Sequence, residues 1–253
     1  MKGRLPDFII GGAPRSGTTW LYHLLDKHPE IYMAKPVKPE PKFFLIDEIY
    51  KRGIEYYKET WFSNVDPNRI AGEKTTNYLE SSVAAARIYR HLPRVKLVFI
   101  LREPAQRAFS NYLWTKMNGL EKEDFATAIA LETQRERTLP EKYRFSRPYS
   151  YFSRGLYADL LRPYFERFPR EQIVCLRYEE IAGRPHELAA QLHRFLGVVE
   201  RSEDVAGLGT INASEKVGAE IPADVYHELV RRYQEPNRKL AALLGPEFEI
   251  WTT

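Results

Sequence analysis

The stretch most able to do chemistry joins a short apolar run to a glycine-rich turn, in the sequence FIIGGAPRSGTT from Phe8 to Thr19. From Gly12 onward the spacing G-x-x-x-x-G-T-T is that of a loop whose backbone N–H groups cradle phosphate. Thr18 stands where such loops carry lysine, and the nearest cation is Arg15. The turn therefore predicts a nucleotide site that lacks the lysine of ordinary ATP and GTP chemistry.

The side chains of this loop are suited to holding an oxyanion. Arg15 offers a planar, permanently charged guanidinium, while Ser16, Thr18 and Thr19 offer hydroxyl donors. A helix that begins here adds the partial positive charge of its first turn. The alternative from the same residues is a plain strand-to-helix turn capped by Ser16.

A second cation follows the strongest strand signal in the chain, VKLVFIL from Val95 to Leu101, which runs directly into Arg102. A nucleotide kinase needs an acidic residue near such a strand end to hold Mg²⁺. Glu103 comes next, but it competes with Arg102 and with the helix start that follows. We therefore predict that arginines and hydroxyl groups bind the anion without a metal. Cations at two strand ends suit a nucleotide with a second, separate phosphate, on which Arg102 and Ser110 can converge.

The order of apolar segments predicts an α/β fold with a central parallel sheet flanked by helices. Continuous β-rich runs are typical of strands that are covered on both faces. A proline-dense loop, KPVKPEP, is expected near the mouth of the site. The predicted strands cover residues 8–11, 70–74, 95–101 and 173–176, and the predicted helices cover residues 16–27, 83–91, 104–116, 125–137, 155–168, 185–196 and 222–244.

Composition narrows the class of protein. The chain has 253 residues with 43% hydrophobic content, which allows a packed core in one domain spanning residues 1–253. The net charge of +4 suits an anionic ligand but does not demand nucleic acid. The single cysteine, Cys175, cannot form an intrachain disulfide. With no signal peptide and no apolar run long enough to span a membrane, a cytoplasmic location is expected.

These motifs resemble the sulfotransferases that use 3′-phosphoadenosine 5′-phosphosulfate (PAPS). GAPRSGTTWLYHLL (Gly12 to Leu25) is similar to the family's loop for the 5′-phosphosulfate, and LREPAQRAFSNYLW (Leu101 to Trp114) is similar to its 3′-phosphate segment. GEKTTNYL (Gly72 to Leu79) resembles the segment that carries a catalytic glutamate in the heparan sulfate branch. Looser similarity extends the resemblance from Asp7 to Trp251.

The resemblance implies a P-loop-like three-layer α/β fold and PAPS as the cofactor, with adenosine 3′,5′-bisphosphate (PAP) as its product. It also implies transfer of a sulfuryl group to a hydroxyl or amine of a carbohydrate or natural product, without a metal. The catalytic residues so implied are Arg15, Glu73 and Lys74. The cofactor-binding residues so implied are Arg15, Ser16, Gly17, Thr18, Thr19, Trp20, Arg102, Ser110 and Tyr157.

The acceptor needs a base within hydrogen-bond reach, and Glu73 is predicted to be that base. Lys74 beside it is expected to meet the leaving group or to orient Glu73, the alternative being a surface ion pair between the two. Three histidines, His23, His28 and His91, are rival bases, but each is expected to be structural or solvated. The family's lysine is replaced by Arg15, and the faint ASEKVG stretch leaves the role of Lys216 open.

Three other functions stay open at this stage. A P-loop kinase or NTPase and a catalytically inactive nucleotide-binding module are both compatible with the loop. A nucleic-acid-binding protein is disfavoured, because no basic stripe with interleaved aromatic residues is present. A saccharide or small-molecule acceptor is therefore the expected partner, and the oligomeric state is not predicted.

Overall fold

The computed structural model describes residues 3–63, 65–209 and 219–251. The chain forms two compact units. The first unit comprises Met1–Leu101 and Pro163–Ile211, and the second comprises Arg102–Arg162 and Asn212–Thr253. The single sulfotransferase domain over residues 1–253 stays a prediction.

A five-stranded parallel sheet forms the centre of the first unit, in the order β2-β3-β1-β4-β5. Strands β2 and β3 lie on one side of β1 and strands β4 and β5 on the other, so the strand order changes direction at β1. Ligands of open α/β sheets bind at the carboxyl ends of strands at such a point. The strands are β1 (Phe8–Gly12), β2 (Ile31–Met33), β3 (Ile70–Lys74), β4 (Lys96–Leu101) and β5 (Ile173–Arg177).

The helices lie close to their predicted positions, and the predicted α/β class is confirmed. One predicted helix, 125–137, is two short helices separated by a single residue, Leu131. The helices are α1 (Thr18–Lys27), α2 (Asp47–Tyr50), α3 (Gly53–Phe62), α4 (Ser82–His91), α5 (Pro104–Met117), α6 (Phe125–Ala130), α7 (Glu132–Arg137), α8 (Tyr157–Phe165), α9 (Glu180–Gly183), α10 (Pro185–Leu196) and α11 (Ala223–Leu244).

The core of the first unit forms where α1 and α10 cover the sheet. The apolar residues Leu21, Leu24 and Leu25 recur at helical spacing on α1 and are fully buried. They join the β1 and β4 side chains and the apolar face of α10 in one cluster. Burying this stripe fixes α1, and with it the loop at the end of β1.

The second unit has its own core, built from α5, α6 and α11. Helix α5 begins at Pro104, as predicted, because the Glu103 carboxylate caps it. That carboxylate accepts the N–H groups of Ala105 and Gln106 at 2.9 and 2.7 Å. The Glu103 carboxylate thus engages the start of the helix.

In the described ranges, none of the helices combines the length and apolar character needed to cross a bilayer. The cytoplasmic location stays a prediction.

Gly72 on β3 leaves room for the aromatic ring of Phe8, on the neighbouring strand β1, to lie against it. Gly72 is the register partner of Phe8. A Cβ atom added at Gly72 would lie 2.1 Å from Cζ of that ring, far inside van der Waals contact. The close approach therefore requires glycine at this position.

We expect Gly72→Ala to lower the free energy of unfolding by about 1–3 kcal/mol, because the added methyl group overpacks the sheet. Gly183→Ala is the matched control, since a Cβ there would meet nothing within 4 Å. Urea denaturation of both variants measures the difference. Equal stability of the two variants would contradict the close approach.

Candidate functional site

The loop after β1 has the backbone shape of an anion-binding turn. Arg15 and Gly17 both adopt left-handed conformations, with φ of 67° and 86°. Such conformations turn the chain sharply and are typical of loops that gather N–H groups around an anion. The N–H of Ala13 donates to the carbonyl of Ile100 on β4 at 2.9 Å, which holds the loop against the sheet.

Both glycines of the loop motif are required by close contacts as well. A Cβ at Gly17 would lie 2.5 Å from Cδ1 of Ile181, and one at Gly12 would lie 2.7 Å from Cβ of Leu79. The loop is therefore packed closely against neighbouring segments, which leave no room for a side chain at either glycine.

The start of α1 leaves several hydrogen-bond donors without partners in the helix. The first bond of the helix runs from the N–H of Leu21 to the carbonyl of Gly17, at 3.1 Å. The N–H groups of Thr18, Thr19 and Trp20 precede that bond, as at any helix N-terminus. No side chain caps the helix. The alternative of a plain turn capped by Ser16 is therefore wrong.

Ser16 has a buried hydroxyl that no group in the described part of the chain uses. Its side chain is 0% exposed, and its Oγ has no hydrogen-bond partner. A buried hydroxyl without a partner costs about 1–3 kcal/mol. An oxyanion at the start of α1 would accept this donor together with the helix N–H groups.

The predicted binding residues of α1 differ in exposure. Thr19 is partly exposed and Thr18 is 5% exposed. The Trp20 ring is 3% exposed and belongs to the hydrophobic core. Any contact of Trp20 with a ligand is therefore limited to its backbone.

Glu73, the predicted base, lies on β3 with its side chain 0% exposed. Its carboxylate accepts hydrogen bonds from Tyr57 Oη at 2.6 Å, Thr75 Oγ1 at 2.8 Å and Tyr78 Oη at 3.2 Å. Burial raises the pKa of Glu73 to about 7, and the three hydroxyl donors offset part of this rise. Hydroxyl groups and aromatic rings thus separate this carboxylate from solvent.

Lys74 points to the opposite face of β3, because side chains alternate along a strand. Its Nζ bonds to the carboxylate of Glu40, in the proline-dense loop. The other oxygen of Glu40 accepts the N–H of Thr76 at 3.2 Å. The alternative of a surface ion pair between Glu73 and Lys74 is therefore wrong.

Glu40 is a site residue that the sequence reasoning missed. Its side chain is 12% exposed, whereas that of Lys74 is 2% exposed. The carbonyl of Thr76, the residue that Glu40 also binds, lies 3.1 Å from where a Cβ of Gly12 would be. Glu40 is thereby linked to the segment that supports the anion loop. The sequence feature that could have drawn attention to Glu40 is its place between two prolines in KPVKPEP.

Of the binding residues predicted in the second unit, Arg102 and Tyr157 are in direct contact. Arg102 is partly exposed, and its carbonyl accepts a hydrogen bond from the Tyr157 hydroxyl at 2.8 Å. Tyr157 is 1% exposed, so its hydroxyl positions the backbone at Arg102. Ser110 lies on α5 and is 5% exposed. Lys216 lies outside the described residues.

Three buried residues of the first unit, His28, His193 and Asp204, place potential metal-ligand atoms within 4.8 Å of one another. The backbone N–H groups of Glu30 and Arg201 donate to Nδ1 of the two histidines. Each neutral histidine therefore carries its proton on Nε2, which leaves no lone pair there for a metal. Nε2 of His28 lies 2.8 Å from the carbonyl oxygen of Val199, whereas Nε2 of His193 and Oδ2 of Asp204 are buried without a hydrogen-bond partner among the described residues.

A family model described as "Sulfotransferase domain" matches residues 5–210. A mouse enzyme, heparan sulfate glucosamine 3-O-sulfotransferase 3A1, is 30% identical over 77% of this chain and 46% of its own length. The chain thus spans about half the length of that relative.

Two solved structures share the fold. A sulfotransferase from Alicyclobacillus acidocaldarius is 29% identical, with a TM-score of 0.78 over 95% of this chain and 96% of that one. A mouse sulfotransferase, SULT7A1, solved in complex with PAP, is 17% identical, with a TM-score of 0.59 over 96% and 86% of the two chains. Given the family match and the fold, the chain belongs to the sulfotransferase family. The resemblance seen in its motifs and the P-loop-like three-layer fold are thus confirmed.

We expect the raised pKa of Glu73 to make stability depend on pH. Its carboxyl contributes stability below its ordinary pKa near 4.5, and this contribution is lost as the pH rises through about 7. Glu73→Gln cannot ionise, so its stability should not show that loss, which amounts to roughly 3 kcal/mol. Urea denaturation from pH 5 to pH 8 compares the two proteins. Parallel stability curves would contradict the burial of an ionisable carboxyl.

Proposed function

We propose that this chain transfers a sulfuryl group from PAPS to a hydroxyl or amine of an acceptor, leaving PAP. The observation that carries the proposal is the loop around Ser16, where a buried hydroxyl and the first N–H groups of α1 lack partners. A 5′-phosphosulfate offers oxygens for all of these donors. The PAP in the related mouse structure supports the same cofactor here.

We assign the 3′-phosphate to Arg102 and Ser110, on the resemblance of their segment to the family's. Tyr157 acts through the backbone of Arg102, because its hydroxyl donates to that carbonyl. The proposal includes no metal, since the acidic residue beside Arg102 is occupied in capping α5. Guanidinium and hydroxyl groups bind the negatively charged phosphate and sulfate oxygens of the cofactor instead.

Sulfuryl transfer passes in line between two oxygens, as phosphoryl transfer does, so the protein acts mainly by positioning and electrostatics. The phosphate oxygen that leaves becomes more negative as the bond to sulfur breaks. Arg15, Thr18 and Thr19 lie in or next to the loop and can stabilise that charge. Arginine keeps its proton, so Arg15 stabilises the leaving group without protonating it.

Two carboxylates compete for the role of general base. Glu73 has the raised pKa that suits a base, but it is 0% exposed and already accepts three hydroxyl hydrogen bonds. Glu40 is partly exposed and lies beside Lys74, whose charge neutralises its own. An acceptor hydroxyl can reach Glu40 without opening the aromatic core, so we assign the base to Glu40 rather than to Glu73.

The relative named for heparan sulfate supports a saccharide as the acceptor. A natural-product hydroxyl is the alternative. An inactive nucleotide-binding module would keep the loop and bind PAP without turnover.

We expect the protein to bind PAP more tightly than ATP with Mg²⁺, because the loop lacks the lysine that ordinarily meets the β- and γ-phosphates. Isothermal titration calorimetry with each ligand measures both affinities. Tight binding of ATP with Mg²⁺ and none of PAP would refute the proposal and favour a kinase or NTPase.

We expect Glu40→Gln to lower kcat by about 10²–10⁴-fold with little change in PAP affinity, because a general base is lost. Glu73→Gln is the matched control and should keep most of the activity. Release of PAP from PAPS with a saccharide acceptor gives the rates, and melting temperatures check the folding of both variants. Loss of turnover in Glu73→Gln alone would instead assign the base to Glu73.

A further inference from the structure

The segment from Glu40 to Phe44 carries the base assigned above, and it lies between β2 and α2 in neither a strand nor a helix. We call it the Glu40 segment. Pro39 and Pro41 have no N–H to donate, so a continuous hydrogen-bond ladder cannot hold this part of the chain. The position of the segment therefore depends on separate contacts, several of which come from residues 74–78.

Two of these contacts are made by buried hydroxyl groups at and after the end of β3. Oγ1 of Thr75 accepts the N–H of Lys42 at 3.2 Å, and Oη of Tyr78 accepts the N–H of Phe44 at 3.3 Å. Thr75 and Tyr78 are both 0% exposed. Because water does not compete for these hydroxyls, the two bonds hold the backbone more firmly than bonds at the surface would.

Glu73 sets the direction of both hydrogen bonds. A hydroxyl group has one proton to donate and two lone pairs that accept. Thr75 and Tyr78 donate their protons to the Glu73 carboxylate, at 2.8 and 3.2 Å. Their lone pairs are then left for the N–H groups of the Glu40 segment. Burial raises the pKa of Tyr78 well above its usual value, so Tyr78 keeps its proton at neutral pH.

Tyr57 resembles these two residues but has no bond to the backbone of the Glu40 segment. Its hydroxyl donates to the same carboxylate at 2.6 Å and is equally buried, yet among the described residues it accepts no hydrogen bond. Its ring stacks on Phe43, with the ring centroids 4.6 Å apart. Tyr57→Phe therefore keeps the ring and removes only a hydrogen bond to Glu73.

The residues around Thr75 also hold the carboxylate of Glu40 itself. Lys74 Nζ binds one oxygen of that carboxylate, and the N–H of Thr76 binds the other. The N–H of Thr75 donates to the carbonyl of Ile10 at 3.0 Å, which ties this stretch to β1. The side chain of Glu40 and the backbone that follows it are thus both referred to the central sheet.

We propose that Thr75 and Tyr78 are positioning residues, whose hydroxyls align the Glu40 segment so that the Glu40 carboxylate meets the sulfuryl acceptor. The inference rests on the proposed function and deepens it. A general base must lie within hydrogen-bond reach of the hydroxyl that it deprotonates. A displacement of about 1 Å can lower the rate about 100-fold.

The charge of Glu73 is not essential to this arrangement. Glu73→Gln keeps one oxygen that can accept the Tyr78 hydroxyl. Thr75 Oγ1 has two lone pairs, so it can accept both the new amide and the N–H of Lys42. Both bonds to the Glu40 segment persist in that variant, in line with the activity expected of it above.

The test compares Thr75→Val and Tyr78→Phe with the matched control Tyr57→Phe and with the conservative variant Thr75→Ser, each in the full chain. Hydrogen exchange resolved to single amides by NMR reports the bonds at Lys42 and Phe44 without reference to activity. Amides of β1 are the internal reference for global unfolding. Turnover of PAPS with a saccharide acceptor gives kcat, and titration with PAP gives the affinity for the cofactor product.

We expect Thr75→Val to speed exchange at Lys42, and Tyr78→Phe to speed exchange at Phe44, each by about tenfold, because each amide loses its acceptor. Both variants should lower kcat by about 10–100-fold at unchanged PAP affinity. Tyr57→Phe and Thr75→Ser should match the unaltered protein in exchange at the two amides and in kcat.

Unchanged exchange or unchanged kcat in Thr75→Val or in Tyr78→Phe would overturn the role of that residue. An equal loss of kcat in Tyr57→Phe would overturn the inference as a whole, because the hydroxyls would then act through Glu73 alone. Failure of the unaltered protein to bind PAP would instead refute the proposed function, while the exchange rates would still decide whether the hydroxyls hold the Glu40 segment.

Discussion

The central constraint in the first unit is a group of hydrogen-bond donors at the start of α1 that have no acceptor within the helix. Ser16 Oγ is buried without a partner, and the helix N–H groups beside it have no acceptor within the helix. Two glycines, left-handed backbone at Arg15 and a hydrogen bond to β4 hold these donors in place. The loop follows β1, the strand at which the order of the parallel sheet changes direction.

Side chains alternate along β3, so Glu73 and its neighbour Lys74 point to opposite faces of the strand. The carboxylates of Glu73 and of Glu40, which pairs with Lys74, are therefore kept apart. One face of the strand carries Glu73 into an aromatic core, where burial raises its pKa to about 7. The other face carries Lys74 to Glu40, which retains some exposure. A one-residue step along the strand therefore separates a fully buried carboxylate from one that retains some exposure.

Much of the fold could be predicted from the sequence, because strong periodic segments form their elements locally. Strands β1 and β4 and helix α10 lie where their apolar patterns indicate. Strand β2 has only three residues, too few for a pattern to register. The burial of Glu73 depends on Tyr57 from α3, an element that the sequence reasoning did not predict. Glu40 meets Lys74 across 34 residues of chain, a pairing that only the tertiary fold creates.

In the second unit, the Glu132 side chain accepts hydrogen bonds from three backbone N–H groups, whereas no side chain caps the helix after the β1 loop. Its carboxylate is a tethered anion, present at a fixed effective concentration, and it occupies three backbone donors permanently. An acceptor for the donors around Ser16 would have to come from solution, so its occupancy would follow its concentration. An anion bound at Ser16 would therefore stabilise the first unit only while it is present, whereas the backbone of residues 151–153 keeps its acceptor under all conditions.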